Sequence, residues 1–562
     1  MAAIKGLQGE NYLIDRHHVL ATAKHYAALG EPVGGRNTAP ANYAEREMRE
    51  VFFVTFRAAV QEAQVGSIMA AYNEISGGIP CHINHWLLED VLRGEWGFRG
   101  YVTSDGGGLE MLVDTHHVAA DYAGAARMAL AAGVDYDRSD GFVYATLADQ
   151  VRAGKVAECE IDRAVSRILS VKFRLGLFEN PYVDPDYAER ITNCAAHRKL
   201  ALETAQKGVV LLKNEGELLP LDPKKYKTIA VIGPNAATAR LDQYRRRPGA
   251  ITLLDGFRER IGSSARVVYA EGCEIDAFVN RKLEIPNPKA QLASIRAATE
   301  VARKADVAIL AVGGDSVEGH EASFEYPSDR DSLELVGLQN QLIRSVVETG
   351  TPTVVFLINP RPLSITYAAE HVPAILEGWY LGQEGGTAAA QVLFGDVNPG
   401  SKLTITFPRS AGALPAYYYR KPSDYMPYLF EKPGPLFPFG HGMSYTTFHF
   451  ANLRLSPSKI ASEGETMVSV DVTNTGSRAG DEVAQLYLRD RVSSVTRPVK
   501  QLVGFRRIHL KPGKTETVRF RLTPAELGFY DAEMRWVVEP GTFDIMVGSS
   551  SAHTIGTSLE VG

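Results

Sequence analysis

The chain has 562 residues, 45% hydrophobic and 22% charged, too long for one core and typical of several globular domains. Lys and Arg number 60 against 66 Asp and Glu, a formal charge of −6, so there is no basic excess to neutralise phosphates and nucleic acid is excluded as a partner. No apolar run reaches the length of a membrane span, so no membrane partner is expected. Met1-Ala2-Ala3-Ile4-Lys5 lacks the apolar centre of a signal peptide: a genuine start predicts a cytoplasmic chain, a truncated one leaves periplasmic or secreted location open. Cys81, Cys159, Cys194 and Cys273 are scattered, without Cys-x-x-Cys or zinc-type His spacing, and read as buried thiols; no metal is expected.

Over residues 1–180, short apolar runs alternate with amphipathic ones, the signature of a parallel α/β arrangement. Strands are predicted over 19–25, 66–73, 100–105 and 133–137, ending in Lys24-His25, Tyr72-Asn73, Ser104-Asp105 and Asp135-Tyr136-Asp137. Ligands gather at the carboxyl ends of parallel strands, so these endings should face one site. Helices are predicted over 44–64, 86–94, 119–132 and 161–177, and 178–185, with two prolines, reads as a linker. A second α/β unit spans 198–410, with near-continuous apolar strands at 209–212, 228–232, 307–312, 353–358 and 374–376, as expected of strands covered on both faces. Gly233-Pro234-Asn235 and Gly313-Gly314-Asp315 end two of them and, without a GxGxxG, read as turns and not as a cofactor site. Residues 411–445, dense in Pro, Gly and Tyr, form a long connecting loop; Tyr417, Tyr418, Tyr419 and Phe430 either cover an active site, in this chain or a neighbour, or pack structurally. Over 446–562, period-two alternation at 467–475, 482–488, 516–522 and 542–547 predicts an all-β sandwich.

No Ser-His-Asp order, metal motif or phosphate loop stands out, which leaves carboxylates. Asp105 ends a strand of the first domain, and Gly106, Gly107 and Gly108 let backbone or ligand approach it closely. Glu318, Glu321 and Glu325 follow the strand at 307–312 of the second domain. Two such carboxylates can meet across a cleft and split roles, one ionised as nucleophile and one protonated as general acid. Taken singly, the simpler readings are a turn aspartate, a solvated acidic loop, a solvated Lys24, a packed His25 and core Met69 and Tyr72.

Their order carries more than any one of them. Lys24-His25-Tyr26, Gly34-Gly35-Arg36-Asn37, Met69-Ala70-Ala71-Tyr72-Asn73, Gly94-Glu95-Trp96-Gly97-Phe98-Arg99-Gly100 and Thr103-Ser104-Asp105 resemble glycoside hydrolase family 3. So do Gly208-Val209-Val210-Leu211-Leu212-Lys213-Asn214, Asp329-Arg330-Asp331-Ser332-Leu333, Phe437-Pro438-Phe439-Gly440 and Val472-Thr473-Asn474-Thr475-Gly476. The resemblance covers essentially the whole chain and is nearest the three-domain β-glucosidase and β-xylosidase branch. It implies a partial (β/α)8 (TIM-type) barrel over 1–180, an α/β sandwich over 198–410, a connecting loop over 411–445 and a fibronectin type III-like β-sandwich over 446–562. It implies a retaining exo-β-glycosidase that needs no cofactor and releases terminal β-D-glucosyl residues from β-linked oligosaccharides or glycosides, with β-xylosidase as the alternative. Asp105 matches the nucleophile. Glu321 matches the acid/base, with Glu318 and Glu325 as rivals, and Lys24, His25, Met69 and Tyr72 match positions lining the subsite of the cleaved sugar.

Three departures qualify the match. Gly106 stands where the family commonly has a large aromatic such as Trp, so one wall of the sugar pocket is missing or supplied elsewhere. Lys24-His25-Tyr26-Ala27-Ala28 differs from the Lys-His-Phe-Pro-Gly-type loop of the N-acetylhexosamine branch, which argues against that substrate. Family members carry early barrel strands before the segment matching Gly6-Leu7-Gln8-Gly9, and about four candidate strands are found where a full barrel has about eight. Expected consequences are a homodimer or partner chain that completes the barrel, or a truncated, catalytically incompetent sugar-binding fragment.

Overall fold

The structure, a computed structural model, describes residues 1–10, 13–75, 77–241, 249–275, 287–315, 329–424 and 426–562. Contacts divide the chain into two units, Met1–Glu189 and Arg190–Gly562.

In the first unit, the apolar runs Thr22–Tyr26 (β1), Ser67–Ala70 (β2) and Tyr101–Thr103 (β3) pair in parallel in the order β1-β2-β3. Gly66 and Gly100 let β2 and β3 close on each other, since a Cβ on Gly100 would lie 2.1 Å from the Gly66 carbonyl oxygen. The first strand starts later than expected because the Val19 N–H is taken by the Leu7 carbonyl at 2.7 Å. Helices follow the strands: Phe53–Gln61, Trp86–Glu95, Tyr122–Ala132 and Glu158–Arg174. Tyr26, Phe53 and Trp96 meet with ring centroids 5.4–5.8 Å apart, joining β1 to helix Phe53–Gln61 and to the residue that caps Trp86–Glu95.

The segment 133–137 is not a full strand. Among the described residues its one ladder contact is the bridge from Tyr136 to Thr103, because Gly133 closes the preceding helix at φ 104 and the chain straightens only after it. Nor does Asp135 face the same site as Asp105. Its side chain, 1% exposed, accepts from Arg93 Nη2 at 2.7 Å, from Arg167 Nη1 at 3.0 Å and from the Val102 N–H at 2.8 Å. Burial pushes the Asp135 carboxyl up against the pull of the two guanidiniums, and burial likewise brings Arg93 down to about 10.

In the second unit, Val210–Asn214 (β4), Thr228–Ile232 (β5), Arg266–Ala270 (β6), Val307–Gly313 (β7), Thr353–Ile358 (β8) and Ala374–Glu377 (β9) form one sheet in the order β4-β9-β8-β7-β5-β6. All pairs are parallel except β4 with β9. Successive residues of one strand enter opposite interiors: Ala308, Leu310 and Val312 meet helices Pro288–Arg303 and Gln339–Val347, while Val307, Ile309 and Ala311 meet Leu253–Ile261 and Gly385–Leu393. Burial on both faces explains the unbroken apolar runs. The two glycine segments are turns: Asn235 is fully buried and its Nδ2 donates to the Gly314 and Ile358 carbonyls at 3.1 and 3.2 Å, tying strand ends together.

Phe448–Ser456 (β10), Thr466–Asn474 (β11), Gly480–Asp490 (β12), Gln501–Leu510 (β13), Thr515–Leu522 (β14), Gly541–Gly548 (β15) and Thr554–Val561 (β16) make two facing sheets, β10-β11-β14 and β16-β15-β12-β13, the latter extended by Lys459–Ile460 beside β16. Val468, Val470 and Val472 point into the space between them, as do Phe543, Ile545 and Val547. The loop before this sandwich packs on it: the Tyr418 ring stacks on Phe439 at 4.1 Å, and its hydroxyl accepts from the Leu502 N–H at 3.3 Å. Phe430, by contrast, is 98% exposed. Cys81 and Cys273 are buried, but Cys159 is exposed and Cys194 half-buried, so burial describes two of the four free thiols.

Candidate active site

The carboxyl ends of β1, β2 and β3 bring His25, Met69 and Asp105 to one end of their sheet. β1 loses regular register between Ala23 and Tyr26, and the Lys24–His25 and Tyr26–Ala27 peptide bonds are cis. Met69 pairs with Thr103 and is buried in β2. Lys24 is exposed and Tyr72 half-buried.

Asp105 is the centre of this end. Its side chain is 6% exposed; Oδ1 accepts from the Gly106 N–H at 2.7 Å and from Arg138 Nη1 at 3.0 Å, and Oδ2 lies 3.0 Å from His25 Nε2. Burial pushes the carboxyl up, but the His25 ring, the Gly106 N–H and the charge of Lys24 together outweigh it and hold the pKa at about 2. An ionised carboxylate at a strand end, screened from water, can attack an electrophilic carbon.

The backbone around it is fixed just as closely. The Asp105 N–H donates to His82 Nε2 at 3.2 Å, and His82 is 1% exposed. Burial brings His82 down to about 4, more than the nearby Asp105 charge raises it, so the ring is neutral and can accept that bond. Tyr72 Oη donates to the Gly106 carbonyl at 2.7 Å, and the Gly107 N–H donates to Ser139 Oγ at 2.8 Å. Asp137 accepts from the N–H groups of Ser139, Val143 and Tyr144 at 3.1, 2.9 and 3.1 Å, shaping the loop from which Arg138 reaches Asp105.

Of the residues singled out in the sequence, the structure therefore joins His25, Tyr72 and Asp105, with Met69 in the adjoining strand and Lys24 acting on Asp105 through its charge. Glu318, Glu321 and Glu325 lie outside the described residues. His82 and Arg138 were not foreseen. Arg138 directly follows the flagged Asp135-Tyr136-Asp137, so the strand-end rule came within one residue of it, whereas nothing in Pro80-Cys81-His82 distinguishes a ring under a distant loop.

Residues 1–171 match the Glycosyl hydrolase family 3 N terminal domain, 209–445 the Glycosyl hydrolase family 3 C-terminal domain and 482–551 the Fibronectin type III-like domain. A Beta-xylosidase of Formosa agariphila is 43% identical over 98% of this chain and 77% of that protein, and a Periplasmic beta-glucosidase of Salmonella typhimurium is 38% identical over 99% and 75%. The chain belongs to glycosyl hydrolase family 3. Among solved structures of such proteins, a β-glucosidase of Erythrobacter marinus superposes with a TM-score of 0.96 at 39% identity, covering 100% of this chain and 76% of that one. A β-glucosidase of Listeria innocua in complex with isofagomine gives 0.90 at 31%, covering 100% and 78%. As a family 3 member the chain is a glycoside hydrolase acting on β-linked glycosides, built as a TIM-type barrel part, an α/β sandwich and a fibronectin-like domain. Where the family 3 pattern commonly has a large aromatic, a Cβ on Gly106 would meet no atom within 4 Å, so the space beside Asp105 is open among the described residues.

Proposed function

We propose that the chain is a retaining exo-β-glycosidase releasing terminal β-D-glucosyl residues, with Asp105 as nucleophile and Glu321 as general acid/base. One observation carries the assignment of Asp105: a nearly buried strand-end carboxylate held ionised by His25 and the Gly106 N–H. It would attack the anomeric carbon as the glycosidic bond breaks, with the bonding pair and the proton of Glu321 passing to the leaving oxygen. Water, deprotonated by the same glutamate, would then attack that carbon from the opposite face and release Asp105, giving net retention. Lys24 and His25 supply donors for sugar hydroxyls, and Tyr72 and Met69 complete that subsite.

The glucoside reading follows the β-glucosidases of S. typhimurium and E. marinus; the F. agariphila relative, at 43% identity, favours a β-xyloside as the second reading. Rates on an aryl β-glucoside and an aryl β-xyloside separate the two. Asp105→Asn should lower kcat on the better substrate by about a thousandfold or more, with an unchanged circular dichroism spectrum. A near-wild-type rate would sink the nucleophile assignment. Association with a second copy or a partner chain is part of the same reading, and light scattering that finds only an active monomer would remove it.

A further inference from the structure

The two oxygens of Asp105 are not equivalent. Oδ1 already accepts two hydrogen bonds, from the Gly106 N–H at 2.7 Å and from Arg138 Nη1 at 3.0 Å, which is the capacity of its in-plane lone pairs. Oδ2 faces His25 Nε2 at 3.0 Å and, among the described residues, is shut off from solvent.

Arg138 is not a buried structural charge. Its side chain is 52% exposed, while its backbone is pinned next to Asp105 by its own N–H, which donates to Ser104 Oγ at 2.9 Å. An exposed cation is thus delivered from an anchored loop onto one oxygen of a buried carboxylate. Because the Gly106 N–H already serves that oxygen and His25 the other, placement of the carboxylate does not require Arg138. Its contribution is charge.

We infer that Arg138 acts on both chemical steps through its charge: it holds the negative charge of Asp105 before the carboxylate bonds to the anomeric carbon, and draws that charge back when the bond breaks. The inference rests on Asp105 being the nucleophile. In the first step the Asp105 carboxylate gives a pair to the anomeric carbon, the bond to the leaving oxygen breaks with its pair, and the carboxylate becomes a neutral ester. The charge-assisted bond from Arg138 weakens as this happens, so Arg138 opposes the step. In the second step the oxygen of water bonds to the anomeric carbon, the bond from that carbon to Asp105 breaks, and its pair returns to the carboxylate. The full ion pair reforms, so Arg138 favours this step. One contact slows formation of the glycosyl-enzyme and speeds its hydrolysis.

Arg138→Met and Arg138→Lys, each in the full chain, test this on the aryl β-glucoside or β-xyloside that the enzyme hydrolyses faster, using a phenol that leaves readily. For Arg138→Met, kcat should fall about tenfold while kcat/KM stays level or rises, so that KM falls with it, and rapid mixing should reveal a burst of about one phenol per enzyme. Arg138→Lys, which keeps the cation, should recover kcat to within about threefold of wild type. Equal losses in kcat and kcat/KM, no change in either, or a lysine variant as slow as the methionine one would overturn the role. Asp105→Gly with added azide checks the underlying assignment separately: an α-glycosyl azide product identifies Asp105 as the nucleophile, and its absence removes the premise whatever the Arg138 variants do.

Discussion

Gly108 marks how tightly the backbone beneath Asp105 is held. A Cβ there would lie 2.5 Å from His82 Nε2, the atom that accepts the Asp105 N–H, and 3.3 Å from the Asp105 carbonyl oxygen. Gly108→Ala should therefore push the ring off the N–H and misplace the carboxylate, lowering kcat by about tenfold or more on an aryl β-glycoside. His82→Ala should also lower kcat, but in that background the added methyl has room, so the two losses should be far from additive. Additive losses in the four-enzyme cycle would show that Gly108 acts independently of the ring. Sequence alone announces some of these residues and not others. Asp105 and His25 were legible because a polar residue ending an apolar run faces the carboxyl end of a sheet whatever surrounds it. His82 and Arg138 meet Asp105 only through the folded loops, and a histidine after Pro80-Cys81 or an arginine in Asp137-Arg138-Ser139 has the same local pattern whether it touches a carboxylate or water.

Among the elements, the junction of β3 with helices Trp86–Glu95 and Glu158–Arg174 depends on a buried charge cluster. Asp135 takes both Arg93 and Arg167, so Asp135→Asn would leave the two guanidiniums with only the more exposed Glu89 as a shared counter-charge and should cost about 3–5 kcal/mol, read as a lower urea midpoint at constant slope. A loss below about 1 kcal/mol would mean that Glu89, 3.1 Å from Arg167, compensates for it. The end of β9 holds a second buried group. Burial raises Glu377 from 4.5 to about 8, against the Trp379 N–H and Asn359, which lower it. The folded chain thus keeps a proton that the unfolded chain releases: the stability this gives is complete below about pH 4.5 and is lost as the pH rises through about 8. Tm should fall across that window, and Glu377→Gln should flatten the slope. Differences in exposure also explain which strands could be read in advance. β7 and β8 are buried along almost their whole length and stand out as apolar runs, whereas the edge strand β6 exposes Arg266 and Tyr269 and has no such run. In the sandwich, β13 leaves Phe505 70% exposed, which blurs the alternation that revealed β11 and β12.

At the scale of the whole molecule, the two carboxylates proposed for the reaction belong to different units of the chain, Asp105 to Met1–Glu189 and Glu321 to Arg190–Gly562. Their losses should have different kinetic signatures. Without the nucleophile, every aryl glycoside suffers, because no glycosyl-enzyme forms. Without the acid/base, a phenol that departs without a proton still leaves at nearly the normal rate, while poor leaving groups are slowed by about 10²–10⁴-fold and hydrolysis of the glycosyl-enzyme loses its base. Glu318→Gln, Glu321→Gln and Glu325→Gln therefore divide cleanly. The true acid/base variant should show kcat/KM that falls steeply as the phenol becomes more basic, and added azide, which needs no deprotonation, should restore turnover and give a β-glycosyl azide. That pattern is expected for Glu321→Gln alone. If Glu318→Gln or Glu325→Gln shows it instead, the role moves to that residue and the nucleophile assignment is untouched; if none of the three does, the proton donor is another residue.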